Sequence, residues 1–249
     1  MNKVLHFTQN SDRVVYVTSD THWNHNPKWP VPLWQSRGYK SLEESNVHII
    51  QSINERVREN DILFHLGDLT LNCTEEQFER FIGSIVCKNI YTLWGNHNSP
   101  AWKIYQREVA GVYYTKGYTG YSIDPLTNKQ IMGGPNNAFV ELLAANVEIY
   151  PLRYKNIIFI GNYAEVVVDG LYFVLCHYPI YVFNHMKDGA IQLCGHSHYN
   201  LPLSQADDPS SKILDVGWDG WAKPLAVKEI VDIVANKKVM VVDHHGREE

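Results

Sequence analysis

The chain has 249 residues, 45% of them hydrophobic and 20% charged, with a formal net charge of −5. That length can bury a sizeable core in one large domain, and that balance excludes a disordered chain. The acidic balance removes any general attraction for nucleic acid or an anionic membrane surface, and no run approaches the ~20 apolar residues of a membrane span.

Met1 to Ser11 lacks the apolar core of a signal peptide. A short edge strand is expected around Val4 to Phe7. The β-branched run Val14 to Val17 reads as a buried strand. It ends at Ser19-Asp20-Thr21-His22-Trp23-Asn24-His25. Residues 26 to 40 carry Pro27, Pro30 and Pro32 with Trp29 and Trp34, and proline denies that stretch regular structure. Ser41 with Glu44 forms a capping box for a helix whose stripe is Leu42, Ile49, Ile50, Ile53 and Val57. Ile62 to Leu66 is the next strand. Thr74 with Gln77 opens a second helix, with the stripe Phe78, Phe81, Ile82, Ile85 and Val86. Ile90 to Trp94 is a third strand. Strand, helix, strand, helix, strand implies parallel pairing with right-handed crossovers.

After Asn98 the pattern loosens. Residues 99 to 156 hold Tyr105, Tyr113, Tyr114, Tyr118 and Tyr121, the turn Gly133-Gly134-Pro135 and a short helical stripe from Phe139 to Val147. Strands return at Ile157 to Ile160, Val166 to Val168 and Leu171 to Cys176, with Asp169-Gly170 as a hairpin signal. Ile191 to Cys194 and Ile213 to Val216 are further strands. Val227, Ile230, Val231 and Val234 form a late helix, and Val239 to Val242 a last strand. Cys73, Cys87, Cys176 and Cys194 make no CxxC pair, so all four read as thiols of a reducing cytoplasm.

One grammar repeats along the chain: an apolar strand run, then a residue able to hold a metal. It places Asp20 and His22, Asp68, Asn96 and His97, His177, and the tetrad Gly195-His196-Ser197-His198 at strand ends. Side chains alternate along a strand, so His196 and His198 can reach one cavity only in a turn beyond it. Ligands of open α/β sheets bind outside the carboxyl ends of strands. Imidazoles and carboxylates suit Mn, Fe, Zn or Ni. The supply exceeds the need of one ion, which points to two divalent ions bridged by one carboxylate, Asp68.

The series Asp20-x-His22, Gly67-Asp68, Gly95-Asn96-His97, His177 and Gly195-His196-Ser197-His198 resembles the calcineurin-like metallophosphoesterase superfamily. Val216-Gly217-Trp218-Asp219 with Pro224 is similar to the segment after that tetrad in small bacterial and phage members. The resemblance covers residues 13 to 97 and 165 to 235. It implies an α/β (α+β) fold of two packed β-sheets flanked by helices, in a single domain of residues 1–249 with a tyrosine-rich insertion at 99–156. It also implies one ion on Asp20, His22, Asp68 and His198, and a second on Asp68, Asn96, His177 and His196. A bridging hydroxide would attack phosphorus, with His97 protonating the leaving oxygen or holding the phosphate. His25 and Asn96 would contact substrate. The family often has an acid after the GNH motif, where this chain has Asn98. Leu71 and Asn72 stand where the protein-phosphatase branch has an acid and an arginine after its Gly-Asp pair.

The expected activity is therefore a metal-dependent phosphodiesterase on a small or nucleotide-like phosphoester, cytoplasmic and without a membrane partner. The alternatives are a phosphomonoesterase, a nuclease acting on nucleic-acid ends, and a silent metal-binding scaffold. Trp23 and Trp94 shield the site from the core side or stack on substrate, with shielding the reading preferred. The tyrosines at 99 to 156 form a lid or pack a loop. His25 reaches phosphate or caps a turn. His6, His48 and His65 read as structural, and His185, His244 and His245 as solvent-facing.

Overall fold

The computed structural model describes residues 4–26, 31–97, 100–105, 121–123, 130–132 and 152–242. In chain order the elements are β1 (Leu5–Phe7), β2 (Val15–Thr18), α1 (Leu33–Ser36), α2 (Leu42–Arg56), β3 (Ile62–His65), α3 (Glu75–Ser84), β4 (Ile90–Thr92) and α4 (Ala101–Tyr105). There follow β5 (Tyr121–Ile123), β6 (Gln130–Met132), β7 (Leu152–Tyr154), β8 (Ile157–Phe159), β9 (Tyr163–Val168), β10 (Leu171–Cys176), β11 (Ile191–Cys194) and β12 (Ile213–Asp215). The chain then forms α5 (Trp218–Trp221), β13 (Leu225–Ala226) and α6 (Val227–Val234).

Two mixed sheets pack face to face, flanked by helices, as the sequence leads one to expect. One has the order β13-β2-β3-β4-β8-β7, the other β1-β9-β10-β11-β12. In the first, β2, β3, β4 and β8 run parallel, with Val15 opposite Ile62 and Leu63 opposite Ile90. Its edge strands β13 and β7 are antiparallel. Strand β7 lies within the tyrosine-rich stretch yet belongs to this core sheet. Strand β1 crosses to the second sheet and pairs parallel with β9.

Alternation sorts the side chains into layers. Val15, Val17, Ile62 and Phe64 face the second sheet and meet Val166, Phe173, Leu175 and Leu193 there. Leu63 and Ile90 point the other way, onto Ile49, Ile53, Phe78, Phe81 and Ile82 of α2 and α3. Each such fully buried apolar side chain stabilises the fold by roughly 1.5–3 kcal/mol. Helix α2 starts where Ser41 accepts from the Glu44 N–H, while the Glu44 carboxylate takes the N–H of Lys40. Helix α3 starts with a reciprocal capping box between Thr74 and Gln77. The β9–β10 hairpin turns at Asp169 (φ 50°) and Gly170 (φ 84°). Among the described residues no helix is long and apolar enough to cross a membrane.

Two sequence expectations need correction. Residues 26 to 40 are not wholly irregular: Pro32 stands at the N-terminal cap of the one-turn α1, where its missing N–H costs nothing. Val239–Val242 is no strand. It pairs with no strand among the described residues, and Met240 packs on the outer face of the second sheet while Val239, Val241 and Val242 stay exposed. Asn98, the helical stripe from Phe139 to Val147, the Gly133 turn, Tyr113, Tyr114, Tyr118, His244 and His245 lie outside the described residues.

Candidate metal centre

The five motifs meet at one end of the sandwich, where both sheets present the carboxyl ends of strands. Asp20 and His22 follow β2, Asp68 follows β3, Asn96 and His97 follow β4, His177 follows β10, and His196 and His198 follow β11. The turns are zipped together by backbone: the Asp20 N–H donates to Gly67 O, His22 N–H to Asp68 O, and Gly195 N–H to His177 O. Asp20 (φ 54°), His22 (φ 48°), Asp68 (φ 54°), His196 (φ 64°) and His198 (φ 49°) are all left-handed. For a non-glycine residue that costs on the order of 1 kcal/mol or more, and it persists only where surrounding structure enforces it. The glycines of the motifs allow close approach. A Cβ on Gly95 would overlap the Asp68 carboxylate, and one on Gly195 would overlap Asp20 and Ser19.

One oxygen of each carboxylate is committed to backbone. Asp20 Oδ2 accepts from His196 N–H at 2.9 Å, and Asp68 Oδ1 from His97 N–H at 2.8 Å. The other oxygens face each other's imidazoles. His22 Nε2 lies 3.7 Å from Asp20 Oδ1 and 3.5 Å from Asp68 Oδ2, and His177 Nε2 lies 3.6 Å from Asp68 Oδ2. These are longer than hydrogen bonds. Asp20 Oδ1 and both His22 ring nitrogens are buried without a hydrogen-bond partner, a cost of ~1–3 kcal/mol for each such group. His177 Nδ1 lies 3.0 Å from the Leu66 carbonyl, which can only accept, so the network assigns the proton to Nδ1. The bare Nε2 lone pair then faces Asn96 Oδ1 at 3.0 Å. His196 Nδ1 also approaches Asn96 Oδ1, at 2.9 Å. Lone pairs turned toward one another at these spacings fit residence of a cation. Ligand atoms of Asp20, His22 and His198, and again of Asp20, Asp68 and His177, lie within 4.8 Å of one another.

Supports that sequence reading missed hold these groups. Asp215, at the end of β12, accepts from Ser197 Oγ at 2.6 Å and Tyr199 N–H at 3.0 Å, which pins the turn between the two histidines. Asp219 accepts from His198 Nδ1 at 2.7 Å and is itself gripped by Arg37. Asp219 stood in the sequence as part of a similar text without a role, and Arg37 in the proline-rich stretch gave no signal. Burial raises the Asp215 carboxyl. Burial alone would raise Asp20 too, but the imidazoles of His22 and His177 beside it hold it well below the usual carboxylate range. The Asp219 hydrogen bond raises His198. Burial, more than any neighbouring charge, lowers His97 and His196, and takes His25 to about 4.

His97 is exposed, its ring 5.6 Å from that of His22. His25 stands 5.5 Å from His22, and its Nδ1 accepts from the Leu33 N–H at the start of α1, a cap that engages one ring nitrogen and not Nε2. Trp23 is 8% exposed, stacked on Phe81; Trp94 is 3% exposed, stacked on Phe159. Both belong to the core, which favours shielding. His65 is buried, bonded to Thr21 and lowered by burial to about 3, and His48 bonds Tyr39; both are structural. Cys73, Cys87, Cys176 and Cys194 are free thiols.

The chain belongs to the calcineurin-like phosphoesterase family, which it matches over residues 13–200. Members of that family are metal-dependent phosphoesterases. An uncharacterized protein of Methanocaldococcus jannaschii is 33% identical over 88 residues, which make up 35% of this chain and 48% of that protein. The chain thus matches about half the length of that curated relative. Its fold is similar to the crystal structure of a protein of unknown function from Aquifex aeolicus, with a TM-score of 0.50 and 16% identity over 89% of this chain and 99% of the other.

Proposed function

We propose that this chain, as a single domain with residues 99–156 inserted in it, is a phosphodiesterase acting on small or nucleotide-like phosphoesters with two divalent ions, Mn, Fe, Zn or Ni. The observation that carries the reading is the pair of buried, orphaned atoms Asp20 Oδ1 and His22 Nε2, turned toward each other 3.7 Å apart. Asp20, His22, Asp68 and His198 would hold one ion, and Asp68, Asn96, His177 and His196 the other, with Asp68 shared. Bound there, the ions supply a water of lowered pKa and neutralise charge on the non-bridging phosphoryl oxygens. The protein's part is orientation and proton delivery. Asn96 and His25 orient the phosphate. His97, outside the ligand set and exposed, protonates the leaving oxygen. Its lowered pKa makes the imidazolium a stronger acid, and the anionic ester beside it helps it keep its proton until transfer.

A leaving alkoxide needs that proton, so His97 suits phosphodiesters or unactivated monoesters, and between these we lean to the diester. The net charge of −5 favours a small substrate over a long nucleic acid. Four free thiols support a cytoplasmic setting.

The test is turnover of bis-p-nitrophenyl phosphate against p-nitrophenyl phosphate with Mn2+ added, for the wild type and His97→Ala. We expect diester turnover that falls by ~10²-fold in the variant, at the low end of general-acid effects because p-nitrophenolate is a good leaving group. Monoester turnover alone, unchanged in His97→Ala, returns the reading to a phosphomonoesterase. Ion uptake without turnover of any ester returns it to a silent scaffold.

A further inference from the structure

Arg37 and Asp219 lie 182 residues apart in sequence and form a partly buried ion pair, with side chains 6% and 17% exposed. Arg37 Nε donates to Asp219 Oδ1 at 3.0 Å and its NH2 group to Oδ2 at 2.7 Å, a bidentate fork. Two further donors go to backbone. NH1 donates to Thr21 O at 2.9 Å, and NH2 also to Asp20 O at 2.7 Å. Asp219 in turn takes the Nδ1 proton of His198, whose ring stacks on His22 at 5.2 Å and 17°. One guanidinium therefore grips the left-handed Asp20–His22 turn directly and His198 through Asp219. It makes no hydrogen bond to Asn96, His177 or His196.

We infer that Arg37 and Asp219 are positioning residues for one of the two ions only, the one on Asp20, His22 and His198. This rests on the two-ion reading above. Fixing the tautomer with a carboxylate leaves His198 Nε2 bare and aimed, and fixing Asp20 O and Thr21 O keeps the turn from relaxing out of its left-handed backbone. Loss of the clamp should weaken one ion of the pair and spare the other, an asymmetry that a merely structural ion pair would not produce.

The experiment is calorimetric titration of chelator-stripped protein with Mn2+, paired with the Mn2+ spin-resonance spectrum. The wild type should take up two equivalents and show a coupled pair. In Asp219→Asn one equivalent should weaken by ~10–100-fold while the other stays within twofold, leaving an isolated-ion spectrum. Arg37→Gln should weaken the same equivalent, and it serves where Asp219→Asn does not fold. Two equivalents with wild-type affinity in the folded variants, or equal weakening of both, overturn the clamp while leaving the two-ion reading intact. A wild type that takes up no Mn2+ overturns that reading, and the clamp falls with it.

Discussion

At Gly95 and Gly195 the geometry leaves no room for a single carbon. A Cβ at either position would enter the carboxylate of Asp68 or Asp20, and one at Gly67 (φ 112°) would come within 2.6 Å of the Gly95 nitrogen. Gly95→Ala should therefore lower stability by about 1–3 kcal/mol and displace Asp68 from the donors around it. Urea unfolding and Mn2+ uptake check this: the variant should lose ion affinity, and unchanged affinity with unchanged stability refutes it. The same residues show what a sequence can disclose. The donors at strand ends were legible because each follows an apolar run that predicts a strand. The glycines beside them belonged to the motif, but why they are glycines appears only with coordinates. Arg37 was invisible, because nothing local distinguishes an arginine that will bond a carboxylate 182 positions later.

Helix α3 was legible as an element because its stripe and its cap agree. Phe78 is 0% exposed and Thr74 closes the capping box. Thr74→Ala should cost ~1 kcal/mol and Phe78→Ala ~3–5 kcal/mol, read from urea midpoints at constant slope. A larger loss at the cap than at the core would contradict this layering. Elements shorter than one period of any pattern escaped. The one-turn α1 hides among prolines, and β13 spans two residues. Val239–Val242 misled for the opposite reason. Its β-branched residues satisfy strand propensity, but a strand also needs a neighbour's free edge, which is a tertiary fact.

On the scale of the whole molecule, the candidate ligands are divided between the sheets. Asp20, His22, Asp68 and Asn96 extend one sheet, while His177, His196 and His198 extend the other. Bound ions would therefore tie the two layers together. Chelator treatment should lower the melting temperature. With free ion at 100 times its Kd, one site contributes about 2.7 kcal/mol, roughly 5–10 °C for a chain of this size. Scanning calorimetry with and without chelator checks this, and coincident transitions would count against ions at the seam.

A donor set split this way is also a clock. The first candidate donor is residue 20 and the last is residue 198, so a nascent chain on the ribosome carries an incomplete set until His198 has been made. On the proposed two-ion reading, water activation would switch on only when the second layer closes against the first. Prematurely terminated fragments should be hydrolytically silent, however well their first half folds.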